Sequence, residues 1–354
     1  MIGILTFQNA LNYGAILQNY ALFTTIKKNG NECKVINYDS IVGKELYPIA
    51  TPTNLKTFIK MLLLNKSRKK KCQAFVNFQK RYIDLTEIYN IEDIKNSNNI
   101  FHSFIVGSDQ VWNLNITEDD YTYFLDFVDN DKKKYAYAAS FGYEHVPRKI
   151  EEQKKLLLRF DKISVREKSA LTIVKSMIDI TPKQVCDPVF LLGKEEWNSL
   201  ISSRLSAEKY ILVYMIPETK ENIALIRGYA LKRNMKIIYI SETPTLIPGF
   251  VHYRNASPNE FLNYIKFAEC VFTASFHGIC FSLILNTPFY YTVYHDGLDN
   301  RFIELLEDVG VHDNMFADSI KKETNDIFDF NLINERLNHL KKDGIDFLSE
   351  VLTN

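Results

Sequence analysis

An arginine lies between an apolar run and a helical pattern in Ser164-Val165-Arg166-Glu167-Lys168-Ser169. Its guanidinium fork can grip a carboxylate or phosphate with two parallel hydrogen bonds, and the competing role is a salt bridge. A histidine occupies a similar place in Ser275-Phe276-His277-Gly278, where a strand ends and a helix begins. There it is within reach of a phosphate or a transferable proton, against the competing reading of a structural histidine. In Gly107-Ser108-Asp109-Gln110-Val111-Trp112-Asn113, Gly107 permits a sharp turn, Asp109 and Gln110 are expected to point into a cleft, and Trp112 can stack on a sugar face. The alternative is an Asp helix cap with Trp112 in the core. Asn12-Tyr13-Gly14-Ala15 is a polar turn closing onto a helix, without a dinucleotide-binding glycine pattern. Asn300-Arg301-Phe302 supplies a further arginine for an anion.

These segments need a frame, and the rest of the chain supplies one. Ile2 to Phe7 is a short apolar run suited to a buried parallel strand, followed by a helix from about Ala15 to Lys28 and a strand at Val35-Ile36-Asn37-Tyr38. From Pro48 to about Asn99 the pattern is helical and basic. Strands are expected at Ser103 to Val106, Tyr135 to Ser140 and Lys162 to Val165, with a helix from Pro147 to Phe160. The alternation restarts with strands at Tyr210 to Ile216, Lys236 to Ser241, Cys270 to Thr273 and Phe289 to Val293. Ser257-Pro258-Asn259-Glu260 reads as an N-cap, a first-turn proline and a capping glutamate. Arg301 to Val309 and Asn331 to Val351 are expected to be helical. Strands alternating with helices in both halves imply an α/β protein of two Rossmann-like doubly wound domains facing a cleft. Ligands in such sheets bind at the carboxyl ends of strands, beside helix N-termini whose free N–H groups favour anions.

Composition narrows the function. At 354 residues the chain exceeds one compact core, and two domains, 1–192 and 193–354, are expected. Lysine plus arginine balance aspartate plus glutamate at 43 each, so there is no global basic field for nucleic acid. The cysteines, Cys33, Cys72, Cys186, Cys270 and Cys280, form no C-x-x-C pair and lie near no histidine at zinc-ligand spacing. Scattered thiols, with no signal peptide and no apolar run of ~20 residues, are expected of a cytoplasmic protein.

Together these blocks resemble the polysaccharide pyruvyl transferase family. The resemblance runs from Ile2 to about Gly310 and is carried by Asn12 to Ala15 with Leu17-Gln18-Asn19-Tyr20-Ala21, Gly107 to Asn113, Arg166 to Ser169, Asp187-Pro188-Val189-Phe190-Leu191-Leu192 and Ser275 to Gly278. It implies a glycosyltransferase-B-like fold, an acceptor-side N-terminal domain and a donor-side C-terminal domain whose last helix packs back on the first. It also implies a transferase of cell-envelope, exopolysaccharide or capsule synthesis. The transferred group would be pyruvate, carried as a ketal from phosphoenolpyruvate to a sugar, with no metal or cofactor required. The resemblance makes Arg166 and His277 donor-binding residues, and His277 also an acid. Asp109 is the residue expected to orient or deprotonate the acceptor, with Asn12, Tyr13, Gly14, Ser108, Gln110, Trp112 and Gly278 lining the site. The family's Arg-x-His-Gly has Ser275 in the arginine position. A charge-assisted hydrogen bond is worth about 1.5–3 kcal/mol, so Arg301 or Lys168 is expected to supply the missing anion contact.

Two other readings stay open: a glycosyltransferase using a nucleotide-sugar donor, and a non-catalytic partner in a polysaccharide assembly complex. Leu55 to Lys71, an apolar stripe followed by Lys66-Ser67-Arg68-Lys69-Lys70-Lys71, can lie on an anionic membrane surface and serve a lipid-linked acceptor; the alternative is a helix packed on the core.

Overall fold

The computed structural model describes residues 1–40, 55–142, 149–241, 243, 246–294, 299–311, 314–315 and 328–353. The chain order begins β1 (Ile2–Leu5), α1 (Tyr13–Lys28), β2 (Cys33–Tyr38), α2 (Leu55–Tyr82), β3 (Leu85–Tyr89), β4 (Ser103–Val106) and β5 (Lys133–Ala139). It continues with α3 (Ile150–Leu157), β6 (Lys162–Val165), α4 (Lys168–Met177), β7 (Lys183–Gln184), α5 (Lys194–Asn198), β8 (Tyr210–Tyr214) and α6 (Lys220–Lys232). The remainder is β9 (Lys236–Ile240), β10 (Phe250–Tyr253), α7 (Pro258–Lys266), β11 (Cys270–Thr273), α8 (Phe276–Leu285), β12 (Phe289–Tyr291), α9 (Asn300–Val309) and α10 (Phe330–Leu352).

Two compact units result. Met1–Pro48, Gln79–Leu192 and His339–Asn354 form the first, Ile49–Phe78 and Gly193–Asn338 the second. The first holds a parallel sheet of order β3-β2-β1-β4-β5-β6-β7, the second a parallel sheet of order β10-β9-β8-β11-β12. Strand order therefore reverses between β1 and β4 in one sheet and between β8 and β11 in the other. Loops leaving the carboxyl ends of such a pair diverge and open a crevice.

The strands form because their side chains are apolar on both faces and helices cover both. Along β4, Phe104 and Val106 enter one core cluster with Trp112, Phe124 and Ile163. Ile105 enters the other, with Ile4, Leu22, Val35 and Leu348. This is the period-two alternation of a strand. On β5 it breaks: Tyr137 and Ala138 both enter the second cluster, while Ala136 and Ala139 enter the first. Ala138 has φ 51°, and the pairing with β6 shifts register between Ala136 and Ala139. A bulge of this kind re-aims the residues that follow it, here Ala139 and Ser140.

Several sequence expectations are refined. Helix α1 starts at Tyr13 rather than Ala15, because the Asn12 side chain accepts hydrogen bonds from the N–H groups of Gly14 and Ala15. Leu85–Tyr89, inside the stretch expected to be helical, is an edge strand paired with β2. Pro48 and Pro147, the expected helix starts, lie outside the described residues. The Ser257 capping box forms as expected. In α10, Gly344 sits where a Cβ would run into the Tyr137 hydroxyl and lie 3.0 Å from Leu191, so the helix approaches the sheet as only glycine allows.

The thiols give a direct check on this packing. Burial pushes Cys33 and Cys186 up to about 12, and Cys270 is buried and pushed up as well. At pH 8 a thiol with that pKa is ionised to only about one part in ten thousand. Cys280 is buried, whereas Cys72 is partly exposed on α2. Cys72 is therefore expected to be alkylated first in the native protein, as read by mass spectrometry of the labelled peptides. Faster labelling of Cys33 or Cys186 would contradict the packing.

Candidate functional site

In the first unit the segments singled out from sequence converge on the carboxyl edge at the β1/β4 reversal. The Gln18 amide of α1 donates to Thr6 Oγ1 (2.8 Å), and Thr6 Oγ1 donates to the Ser108 carbonyl (3.0 Å), which ties the loops after β1 and β4 together. Gly107 fits because a Cβ there would stand 3.2 Å from that of Thr6. Ser108 is fully buried, and its hydroxyl donates to Asp187 Oδ2 (3.1 Å). Asp187 also caps the turn after it, accepting from the Val189 N–H at 3.1 Å.

Asp109 is partly exposed and has φ 84°. That region costs a residue with a Cβ about 1–3 kcal/mol and persists only where neighbours over-determine it. Here the Asp109 carbonyl accepts from the Ser140 N–H (3.1 Å) and the Val111 N–H (2.7 Å), and its Oδ1 accepts from the Gln110 N–H (2.8 Å). Gln110 accepts from the Asn113 side chain (3.0 Å) and lies over Gly142, whose φ of 69° and contact with Gln110 leave no room for a Cβ.

Arg166 follows β6 and is 6% exposed. Its Nε donates to Glu167 Oε1 (2.8 Å) and its Nη1 to Asp187 Oδ2 (3.0 Å), while its Nη2 is 2.8 Å from Glu167 Oε1. Burial draws its pKa down, but Glu167, Asp187 and Asp109 push it up more strongly, and the net direction is up. The guanidinium is thus turned onto carboxylates of its own unit, the competing role that the sequence offered beside the grip on a donor anion. Lys168, the first residue of α4, is exposed.

Two further residues named from sequence lie in the core. Trp112 is fully buried, stacked on Phe124 (5.6 Å, 16°) and flanked by Phe141 and Phe160, with its indole N–H donated to the Tyr123 carbonyl at 3.1 Å. No ring face remains for a sugar; the bulky aromatic fills the core because its one polar atom finds a backbone partner. Tyr13 is 3% exposed, so it too is a core residue, and Asn12 is committed to capping α1. Gly14 is buried within the first turn of the helix.

The second unit places its own segment at the β8/β11 reversal. Ser275 caps α8: its Oγ accepts from the Gly278 N–H (3.3 Å), and its N–H donates to Thr273 Oγ1 (3.0 Å). In this chain the residue at the arginine position therefore closes a helix terminus. Gly278 is set by packing, since a Cβ would stand 2.6 Å from Thr273 Oγ1. His277 occupies the first turn of α8, 9% exposed, with its ring edge-on to Phe276 (5.1 Å). Arg301, partly exposed, lies in the first turn of α9. Sequence reasoning missed Met215, which follows β8 with φ 46° and 43% exposure, its carbonyl accepting from the Ala274 N–H at 2.7 Å. No spacing or composition signal marks it. Among the described residues no group of three or more His, Cys, Asp or Glu is arranged to hold a metal ion.

The two parallel sheets with alternating helices define the GT-B-like α/β class. The fold resembles Methanocaldococcus jannaschii UDP-GlcNAc 2-epimerase in complex with UDP-GlcNAc and UDP, at 13% identity over 100% of this chain and 99% of that one, with a TM-score of 0.52. The UDP-GlcNAc 2-epimerase of Neisseria meningitidis bound to UDP-GlcNAc is also similar, at 9% identity over 97% and 98% of the two chains, with a TM-score of 0.47. No curated protein matches in sequence. The chain belongs to the polysaccharide pyruvyl transferase family, whose model matches residues 12–296. That span contains every site residue above except Thr6 and Arg301.

Proposed function

We propose that the protein transfers pyruvate as a ketal from phosphoenolpyruvate to a sugar of a cell-surface polysaccharide or its lipid-linked precursor. One observation carries this reading. Segments of this transferase family far apart in sequence, at Gln18, Ser108-Asp109, Arg166-Glu167 and Asp187, meet in one hydrogen-bonded network at a strand-order reversal. In the reaction, the donor's methylene carbon gains a proton and one sugar hydroxyl adds to its second carbon. A second hydroxyl then displaces phosphate by breaking the bond between that carbon and the phosphate oxygen, and each hydroxyl gives up its proton. Asp109 is assigned to the acceptor hydroxyls, since a carboxylate can orient or accept a hydroxyl proton. His277 is assigned to the donor, with the N–H groups of the α8 first turn favouring its negative charge. Lys168 and Arg301 are the cations assigned to offset the serine at position 275.

A second reading is kept because of Ser275: with no arginine at that position, a nucleotide sugar is the alternative donor to phosphoenolpyruvate. The M. jannaschii relative in fold is a complex with UDP-GlcNAc and UDP. Thermal unfolding separates the two. A ligand at a hundred times its dissociation constant stabilises by about 2.7 kcal/mol. Phosphoenolpyruvate is expected to raise the midpoint of the wild type and not of His277→Ala. A rise with UDP-sugars alone would replace pyruvyl transfer with glycosyl transfer. No response in the wild type to either donor would favour the non-catalytic role.

A lipid-linked acceptor also suits a cytoplasmic enzyme resting on a membrane. No described helix is long and apolar enough to cross one. On α2, Lys66, Lys69 and Lys70 are exposed, while Lys71 is 3% exposed over the Phe75 ring. The surface charge is thus Lys66, Lys69 and Lys70, and the expected apolar stripe falls largely on residues 55–63, whose side chains lie outside the described residues.

A further inference from the structure

The Asp109 backbone, held at φ 84°, is gripped from both sides by hydrogen bonds that start at one side chain. From Arg166, Nη1 donates to Asp187 Oδ2 (3.0 Å), and the same oxygen accepts from the hydroxyl of Ser108, the residue before Asp109 (3.1 Å). On the other side, Nε donates to Glu167 Oε1 (2.8 Å), and that oxygen accepts from the Ser140 hydroxyl (2.9 Å). The Ser140 N–H then donates to the Asp109 carbonyl (3.1 Å), and the Arg166 N–H donates to the carbonyl of Ala139 (3.3 Å), the residue paired with Asp109. All five side chains that build the clamp are buried: Arg166 is 6%, Glu167 4%, Asp187 2%, and Ser140 and Ser108 0% exposed. The β5 bulge at Ala138 is what turns Ser140 toward this edge.

We infer that Arg166 is a positioning residue: with Glu167, Asp187, Ser108 and Ser140 it forms a clamp that holds Asp109 in its left-handed conformation and fixes the direction of its carboxylate. A residue with a Cβ relaxes out of that region unless its neighbours prevent it. Both arms end on the backbone or side chain immediately next to Asp109, and each uses one carboxylate oxygen shared between the guanidinium and a serine hydroxyl. Arg166 thus acts on chemistry through Asp109 and not by touching the donor. The catalytic part of this inference rests on the pyruvyl-transfer reading; the clamp itself does not.

The test uses mild variants of the full chain. In Ser108→Ala/Ser140→Ala without ligand, amide hydrogen exchange is expected to speed up by about tenfold or more at Gln110, Val111 and Trp112, whose N–H groups bond Asp109 and Ser140. Exchange along β1 and β2 is expected to stay at the wild-type rate. Wild-type protection at those three amides would overturn the clamp. In Arg166→Lys, phosphoenolpyruvate affinity is expected to stay within about threefold of wild type while turnover drops about a hundredfold, the split of a residue that acts on the transition state and not on donor binding. A loss of donor affinity of about tenfold or more, with turnover at saturation retained, would make Arg166 a donor ligand and overturn the positioning role. If the wild type binds no phosphoenolpyruvate, the pyruvyl-transfer reading falls and the exchange measurement alone decides the clamp.

Discussion

Arg166→Ala is expected to lower the stability of the first unit by about 3–5 kcal/mol, because it strands buried charge. The Asp187 side chain is 0% exposed and that of Glu167 5%, so neither carboxylate can recover a water shell when the guanidinium is removed. For a unit of this size each kcal/mol moves the thermal midpoint by about 2–4 °C, which gives a drop of roughly 6–20 °C. Lys162→Ala serves as the control. It breaks an ion pair of similar length, 2.9 Å to Glu350, but both side chains are solvent-accessible and the midpoint is expected to stay in place. Differential scanning calorimetry reads both variants. A wild-type midpoint for Arg166→Ala would mean that the guanidinium is not held by this pair of carboxylates.

Trp112→Ala is expected to cost a similar amount, about 3–5 kcal/mol, through the cavity left in the core of the first unit. The indole contacts three aromatic rings and satisfies its N–H on the Tyr123 carbonyl, so its removal empties a space that the sheet and helices cannot collapse to fill. Chemical denaturation with fluorescence detection measures the loss. The rival outcome is specific: an indole that stacks on the acceptor would leave stability near wild type and raise the KM for the sugar.

The architecture was legible in the residues. Apolar runs at Ile2, Ser103, Lys162, Tyr210 and Cys270, each followed by a polar turn and a helical pattern, marked parallel strands that are buried on both faces. Such strands carry their assignment in local composition, because most side chains along them are apolar. Edge strands do not: Leu85–Tyr89 leaves Glu87 and Ile88 exposed and reads as part of the basic helical stretch before it. The polar segments were likewise found in sequence, since turns at strand ends concentrate Gly, Ser, Asp and Asn for conformational reasons that composition displays.

What each polar side chain does was decided by neighbours remote in sequence. Whether an arginine grips a ligand or a carboxylate depends on what lies within 3 Å of it, and Asp187 is twenty-one residues from Arg166. Whether a tryptophan offers a face depends on what covers it, and the Phe124, Phe141 and Phe160 rings arrive from three different segments. The left-handed backbone of Asp109, the bulge at Ala138 and the exposed Met215 leave no trace in composition or spacing, because the strain at each is held by tertiary hydrogen bonds. The sequence by itself determined the class of fold, the family and the segments that gather at the strand ends, all properties of local pattern and chain order. Only the tertiary structure decided that Arg166 faces its own carboxylates and that Ser275 closes a helix, because those choices depend on distances and burial that no short window of sequence contains.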